Sequence, residues 1–291
     1  MRDYQLLKAT NLDGALDYLA EMNGLHILAG GTDLLIDIKK NNSHLADCKY
    51  LLDISRIREM DFIREEGDYL EIGSLITHGT LCQKGLVKEL FPVLSRAART
   101  VGSTQIRNRA TIGGNICNAS PAADLLPPLI ALEAEAVLYA RQRSRTMALK
   151  DFITGPYQTE LRKDEILYSI KIPLGRGKRY QSFQKIGRRR ALAIARINLA
   201  LVTELAGGRL ENIRIVPGAV TPRPYRFTRL EEAVAGKKLA ELDLAEAGRA
   251  AAEEMVAITG ERWSTPYKRP ALAALVKRAF TEVMKEVEAD G

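Results

Sequence analysis

Three cysteines are too few and too scattered to staple this chain. Cys48, Cys82 and Cys117 form no Cys-x-x-Cys pair and no even framework, so neither disulfides nor a self-contained iron–sulfur or zinc site is expected. Histidines are equally scarce, and His26, His44 and His78 are too dispersed for a ligand set. No apolar run approaches the ~18 residues of a membrane span, and Met1-Arg2-Asp3-Tyr4 opens no signal-peptide stretch. A soluble, cytoplasmic protein without a membrane span is the resulting expectation. Several nucleotide and hydrolase signatures are missing as well. No Gly-x-Gly-x-x-Gly follows a strand pattern, and there is no Walker A sequence and no Gly-x-Ser-x-Gly elbow, which disfavours Rossmann, P-loop and α/β-hydrolase chemistry.

What remains is an ordinary globular composition. Hydrophobic residues make up 46% and charged residues 27% of the chain, which rules out disorder as its main state. At about 150 residues per domain, 291 residues predict two domains, or one with a subdomain. Basic residues outnumber acidic ones, 43 to 36, and the net charge of +7 suits an anionic cofactor, acidic partner subunits or nucleic acid. The densest basic cluster, Arg188-Arg189-Arg190, sits in no nucleic-acid-reading motif. It reads as a solvated or partner-facing surface, and nucleic acid is not expected as a partner.

Periodicity organises the chain. Leu12, Ala15, Leu16, Leu19 and Ala20 share a helical face behind a Thr10 or Asn11 cap. Asn23-Gly24 stops that helix. An apolar run over 25–29, a Gly30-Gly31 turn, a helix from Leu34 and a strand over 49–54 complete a small α/β unit. A β-hairpin is predicted around the turn at 65–68. Helices follow over 77–89 and 92–101, then a Gly/Asn-rich stretch to Pro121, a helix over 122–132 and strands near 135–140, 145–149 and 165–172. Pro173, Gly175 and Gly177 mark a boundary. Strands near 179–186, 192–205 and 210–217 then precede helices near 228–235, 243–258 and 266–287, with no internal repeat.

Two glycine pairs stand out: Ala29-Gly30-Gly31-Thr32-Asp33-Leu34 and Thr111-Ile112-Gly113-Gly114-Asn115. Adjacent glycines permit positive φ and, having no Cβ, let successive backbone N–H groups converge on an anion, for which a diphosphate is the natural guest. Thr32 and Thr111 add hydroxyls and Asn115 an amide, while a helix starting near Asp33 turns its positive end the same way. Asp33 reads as an N-cap, because a carboxylate repels phosphate. Each pair alone also reads as a tight turn. Together they are a stronger signal, and on this reading a β-branched side chain at Gly114 should expel the anion.

These motifs, in this order, resemble the FAD-binding medium subunits of the molybdenum hydroxylases, the xanthine dehydrogenase and carbon monoxide dehydrogenase family. The likeness runs through residues 28–34, Gln105-Ile106-Arg107-Asn108, the stretch from Thr111 to Asp124, and Asp164-Glu165-Ile166-Leu167. It continues in Phe183-Gln184-Lys185-Ile186-Gly187 with Arg189, in Ala193-Ile194-Ala195, and in Pro266-Tyr267-Lys268-Arg269. It implies an α+β fold in which a two-part FAD-binding domain, 1–55 and 56–175, precedes a C-terminal domain over 176–291 with a three-stranded antiparallel sheet and helices. It also implies FAD, held non-covalently by Ile27, Leu28, Ala29, Gly30, Gly31, Thr32, Asp33 and Leu34 and by Thr111, Ile112, Gly113, Gly114 and Asn115. Asp124 matches a carboxylate near the cofactor, and it also reads as a cap of the following helix. Lys185 matches a lysine near the flavin, where a cation favours the anionic reduced form; it reads equally as an exposed lysine. Leu167 packs on the cofactor or fills a strand core.

The implied partners are a [2Fe-2S] small subunit and a large subunit carrying molybdenum cofactor, with NAD or another soluble acceptor taking the electrons. No catalytic or metal-binding residue is expected on this chain. Two departures from the family's variants matter. Thr32-Asp33 stands where the carbon monoxide dehydrogenase type has His-Ser, which favours a purine or aromatic-heterocycle substrate and removes a candidate for covalent flavin attachment. The cysteine-bearing insertion of the 4-hydroxybenzoyl-CoA reductase type is absent, and Cys117 reads as a packing residue. A self-contained FAD-dependent oxidase or reductase of the same fold is the alternative reading.

Overall fold

The computed structural model describes residues 4–189 and 192–290; Arg190 and the side chain of His44 lie outside the described residues. The chain begins with β1 (Gln5–Lys8), α1 (Leu12–Glu21), β2 (Leu25–Leu28), α2 (Leu34–Lys39) and β3 (Tyr50–Asp53). Parallel strands need crossovers, and here β3 lies between β1 and β2, parallel to both. Asn11 caps α1 by accepting from the Gly14 N–H at 2.8 Å. Ala15, Leu16 and Leu19 then pack on Leu52 and Ile54. Strand β1 has no counterpart in the sequence reading, because its edge position leaves Leu6 exposed and gives no apolar alternation.

The next stretch contains β4 (Ile63–Glu66), β5 (Tyr69–Gly73), α3 (His78–Gln83), α4 (Gly85–Leu90), α5 (Pro92–Arg99), α6 (Thr104–Arg107), α7 (Ile112–Asn118) and α8 (Leu126–Ala131). After these come β6 (Glu135–Ala140), β7 (Arg143–Ala148), α9 (Leu149–Phe152), β8 (Ile153–Gly155), β9 (Gln158–Thr159) and β10 (Ile166–Pro173). Five strands form one antiparallel sheet in the order β4-β5-β10-β6-β7. The helix expected over 77–89 breaks at Lys84, whose backbone is extended. The Gly/Asn-rich stretch is partly helical, because the Ser103 and Thr111 side chains accept from the Ile106 and Gly114 N–H groups and start α6 and α7. The predicted helix over 122–132 shrinks to α8, whose prolines occupy the first turn, where they cost no hydrogen bond.

Last come β11 (Arg179–Gly187), β12 (Ala195–Ala206), β13 (Arg209–Gly218), α10 (Thr228–Val234), α11 (Leu244–Thr259) and α12 (Thr265–Asp290). The three strands make an antiparallel sheet with β12 central. Period-two alternation buries both faces of β12. Ile197, Leu199 and Leu201 enter the core shared with α11 and α12, while Ala200 and Val202 enter the core of the five-stranded unit. The first sheet is anchored in the same manner, since Leu75 and Ile166 of the five-stranded unit join its core. The fold is thus α+β, with a seam between the first two sheets.

Candidate functional site

A cleft of about 580 Å³ opens along that seam, at the carboxyl ends of β2 and β3. Its size falls within the roughly 300–1,000 Å³ of small-molecule sites, and the carboxyl ends of parallel strands are where open α/β sheets receive ligands. Ile27, Ala29 and Ile54 line it from the first sheet, Ser74, Leu75 and His78 from the segment after β5. Val101, Ile106, Leu161 and Leu167 add apolar wall, and the exposed Ile194, just before β12, borders one side.

The first glycine loop forms one end of the cleft. Among the described residues, no group accepts from the consecutive backbone N–H groups of Gly30, Gly31, Thr32, Asp33 and Leu34, and all five residues line the cleft. Gly31 has φ +74°, which a side chain resists. Gly30 has a different constraint, since a Cβ there would stand 2.1 Å from the Arg109 carbonyl oxygen. Successive N–H groups without an acceptor at a cleft are the makings of an anion nest. At six residues α2 is too short for its macrodipole to carry the argument.

Asp33 does not cap α2, contrary to expectation. Its backbone is already helical, at φ −103° and ψ −51°, whereas a capping residue is extended. The carboxylate instead accepts from the Asn118 amide at 3.3 Å. Burial, and then the Asp37 carboxylate, push the Asp33 carboxyl above its usual range.

The second glycine motif departs further from expectation. It is the cap and first turn of α7, and the N–H groups from Ile112 to Asn115 are engaged within the protein. Ile112 donates to the Ile76 carbonyl at 2.9 Å, Gly113 to the Ser74 carbonyl at 2.9 Å and Asn115 to the Thr111 carbonyl at 3.0 Å; Gly114 donates to Thr111 Oγ1 at 3.0 Å. Neither glycine has positive φ. Gly113 is required by close approach, as a Cβ would lie 2.6 Å from that of Ser74. At Gly114 a Cβ would meet only Thr111 Oγ1, at 3.0 Å.

Of the residues singled out from sequence, the cleft brings together Ile27, Ala29, Gly30, Gly31, Thr32, Asp33, Leu34, Thr111, Gly113, Gly114, Asn115 and Leu167. Four stand elsewhere. Leu28 is half-buried in β2, and Ile112 is fully buried in the five-stranded unit's core. Asp124 and Lys185 form a buried ion pair at 2.5 Å. Lys185 Nζ also donates to the Thr100 carbonyl at 3.1 Å, and Asn198 to Asp124 Oδ1 at 2.9 Å. Asp124 therefore caps no helix and Lys185 is not exposed; the pair is tied to Thr100, next to the cleft-lining Val101 and Gly102. Burial raises the Asp124 pKa, against the pull of the Lys185 ammonium. Residues that the sequence did not flag include His78, Ser74 and Asn118. Asn118 lies inside the polar run after the second glycine pair, but no pattern marked Ser74 or His78.

Among the described residues, no group of three or more His, Cys, Asp or Glu could hold a metal ion, and no helix is long and apolar enough to cross a membrane. The family described as the FAD binding domain in molybdopterin dehydrogenase matches residues 2–175. The chain belongs to the FAD-binding medium subunits of the molybdenum hydroxylases. The carbon monoxide dehydrogenase flavoprotein C-terminal domain matches residues 181–283 of this medium subunit. It is 31% identical to the glyceraldehyde dehydrogenase medium chain of Sulfolobus acidocaldarius, over 97% of this chain and 98% of that one. It is 28% identical to the xanthine dehydrogenase FAD-binding subunit of Escherichia coli O157:H7, over 95% and 94%. The structure of carbon monoxide dehydrogenase from Hydrogenophaga pseudoflava, which lacks the Mo-pyranopterin moiety of its cofactor, superposes with a TM-score of 0.88 at 30% identity, over 98% of each chain. The medium subunit is accordingly an oxidoreductase flavoprotein whose cofactor is FAD.

Proposed function

We propose that this subunit holds FAD non-covalently in the cleft and relays electrons from the [2Fe-2S] clusters of a small partner subunit to NAD or another soluble acceptor. A large partner subunit carrying molybdenum cofactor oxidises the substrate. The observation that carries the reading is the run of free N–H groups from Gly30 to Leu34, a donor set that fits a diphosphate. Val101, Ile106, Leu161 and Leu167 give an apolar wall that suits flat rings. When bound, FAD supplies a carrier that takes electrons singly and gives them up as a pair. Cys82 and Cys117 are in no disulfide, in keeping with a reducing cytoplasm.

Thr32-Asp33, in place of His-Ser, favours a purine or aromatic heterocycle over carbon monoxide as the substrate of the assembly. An aldehyde is the second reading, supported by identity to the glyceraldehyde dehydrogenase medium chain. Purified protein should show a flavin absorbance spectrum, and acid should release the flavin. A preparation that stays colourless through FAD titration refutes the cleft assignment. In the native complex, the flavin band should bleach anaerobically with a purine or heterocycle and not with carbon monoxide, and bleaching by glyceraldehyde alone would select the second reading. Copurification with iron and molybdenum tests the partners; full activity in a metal-free single chain would contradict them.

A further inference from the structure

Two aromatic side chains stand in water at positions where folding gains little from them. Trp263, in the turn between α11 and α12, is 89% exposed, and Tyr157, between β8 and β9, is 66% exposed. Tyr157 also holds φ +58°, a left-handed backbone that a bulky side chain resists and glycine adopts freely. The turn that carries Trp263 is fixed by a pair of hydrogen bonds, from the Arg262 N–H to Thr265 Oγ1 at 2.8 Å and from the Thr265 N–H to the Arg262 carbonyl at 2.9 Å. Tyr267, in the first turn of α12, is half-exposed as well.

These segments converge on the chain just past the second glycine motif. The Tyr157 N–H donates to the Ala119 carbonyl and the Ala219 N–H to the Pro121 carbonyl, each at 2.9 Å, and Lys268 Nζ donates to the Ala219 carbonyl at 2.7 Å. Ala119 and Ala219 have positive φ too, +46° and +61°, and backbone strain collects at functional sites. Cys117 and Asn118, immediately before Ala119, line the cleft, so the face built here adjoins it.

Its charge is of one sign. The Arg262 and Lys268 side chains donate to backbone carbonyls, those of Thr259 at 3.2 Å and Ala219 at 2.7 Å. Burial, and then the Arg262 and Arg196 guanidiniums nearby, lower the Lys268 pKa. Among the described residues no carboxylate pairs with Arg196, Arg262 or Lys268, and the acidic residue of the turn, Glu261, is taken by Arg269 at 2.7 Å. Small molecules take concave sites, which a side chain as exposed as Trp263 does not line. Trp, Tyr and Arg are instead the side chains that dominate protein–protein contacts, and unpaired cations among them call for an acidic partner. Of the two partner subunits, the one that hands electrons to the cleft has to sit beside it.

We propose that Tyr157, Trp263 and Tyr267, with Arg196, Arg262 and Lys268, form the docking face for an acidic surface of the [2Fe-2S] partner subunit. The proposal rests on the electron-relay reading above. The test dilutes the native complex in steps and reads, by size-exclusion with iron and flavin analysis, the concentration at which the [2Fe-2S] subunit is shed. Trp263→Ala should raise that concentration at least about 30-fold, the loss that marks an interface hot spot, with flavin content unchanged. Tyr157→Gly should raise it about five-fold with no loss of melting temperature in the full-length chain, because the left-handed backbone is relieved; a Tyr157 that served only the fold would do the reverse. Arg262→Glu should weaken the association and flatten its salt dependence. A photo-crosslinking amino acid at position 263 should capture the [2Fe-2S] subunit. Wild-type dissociation in all three variants would overturn the proposal, as would capture of the molybdenum-carrying subunit, of a second copy of this chain or of lipid from position 263, while the relay reading still stood. A wild-type chain that copurifies with no iron protein would overturn both.

Discussion

At Gly30-Gly31 the chain leaves a parallel strand, turns through φ +74° and presents unpaired N–H groups to the cleft. At Gly113-Gly114 it runs through the first turn of a helix, with regular φ and every N–H already donated. The two pairs are alike in composition and opposite in hydrogen bonding. One glycine pair leaves its N–H groups unpaired at the cleft; the other lets a helix lie against Ser74. A glycine pair therefore signals close approach or positive φ, and only the destination of its N–H groups decides whether it can grip an anion.

The largest effect should come from Gly31→Val. A β-branched side chain at φ +74° adds roughly 1–3 kcal/mol of strain, and its Cβ would meet Leu28 and Leu35 side chains at 3.0 and 3.1 Å. FAD affinity should fall by at least about 100-fold, or ~2.7 kcal/mol, while the rest of the protein still melts cooperatively. Wild-type affinity in this variant would erase the distinction between the loops.

Acid should act on the two loops with opposite sign. His78, beside the second motif, has a pKa lowered from 6.5 to about 4 by burial, so the unfolded chain binds the extra proton first. Stability should be unaffected above pH 6.5 and fall by up to roughly 3 kcal/mol as the pH drops to about 4. Asp33, in the first loop, has a raised pKa; its burial penalty is relieved as pH falls, which favours the folded state. Denaturant melts of apo-protein at a series of pH values, compared with His78→Leu and Asp33→Asn, resolve the two. The His78 variant should flatten the acid limb and the Asp33 variant should steepen it.

Gly113→Ala probes the packing role of the second pair. Its Cβ would collide with Ser74, so stability should drop by about 1–3 kcal/mol, with FAD affinity of the folded protein within about threefold of wild type, ~0.7 kcal/mol. A selective loss of FAD at unchanged stability would show that the second loop also grips the anion. Gly114→Ala should do least. The gain in helix propensity of about 1 kcal/mol offsets the single 3.0 Å contact with Thr111 Oγ1, so melting and FAD affinity should both stay close to wild type.

Much of the architecture was legible from short-range pattern. Helix α1 with its Asn11 cap, the β4–β5 hairpin, the strands of the third sheet and helices α10 to α12 follow from periodicity and turn residues acting within a few positions of one another. The misses share a cause. Strand β1 is an edge strand whose pairing with β3 spans some 45 residues, and α6 and α7 depend on caps inside a stretch that reads as loop. The Asp124–Lys185 pair was hidden in the same way, since Asp124 looks like a cap until Lys185 arrives from β11 to neutralise it.

The sequence by itself determined the family, through the order and content of its motifs, and with it the cofactor. It also determined where most helices and strands form, because those preferences are local. Tertiary structure alone decided which glycine loop keeps its N–H groups free. That choice depends on whether a distant carbonyl, such as those of Ser74 and Ile76 for α7, comes within 3 Å. Among the described residues no acceptor meets the N–H groups of the first loop, so its donors remain available. Burial of His78 was decided at the same level, and so were its neutrality and its unpaired Nδ1, because desolvation is a property of the packed assembly and not of the residue.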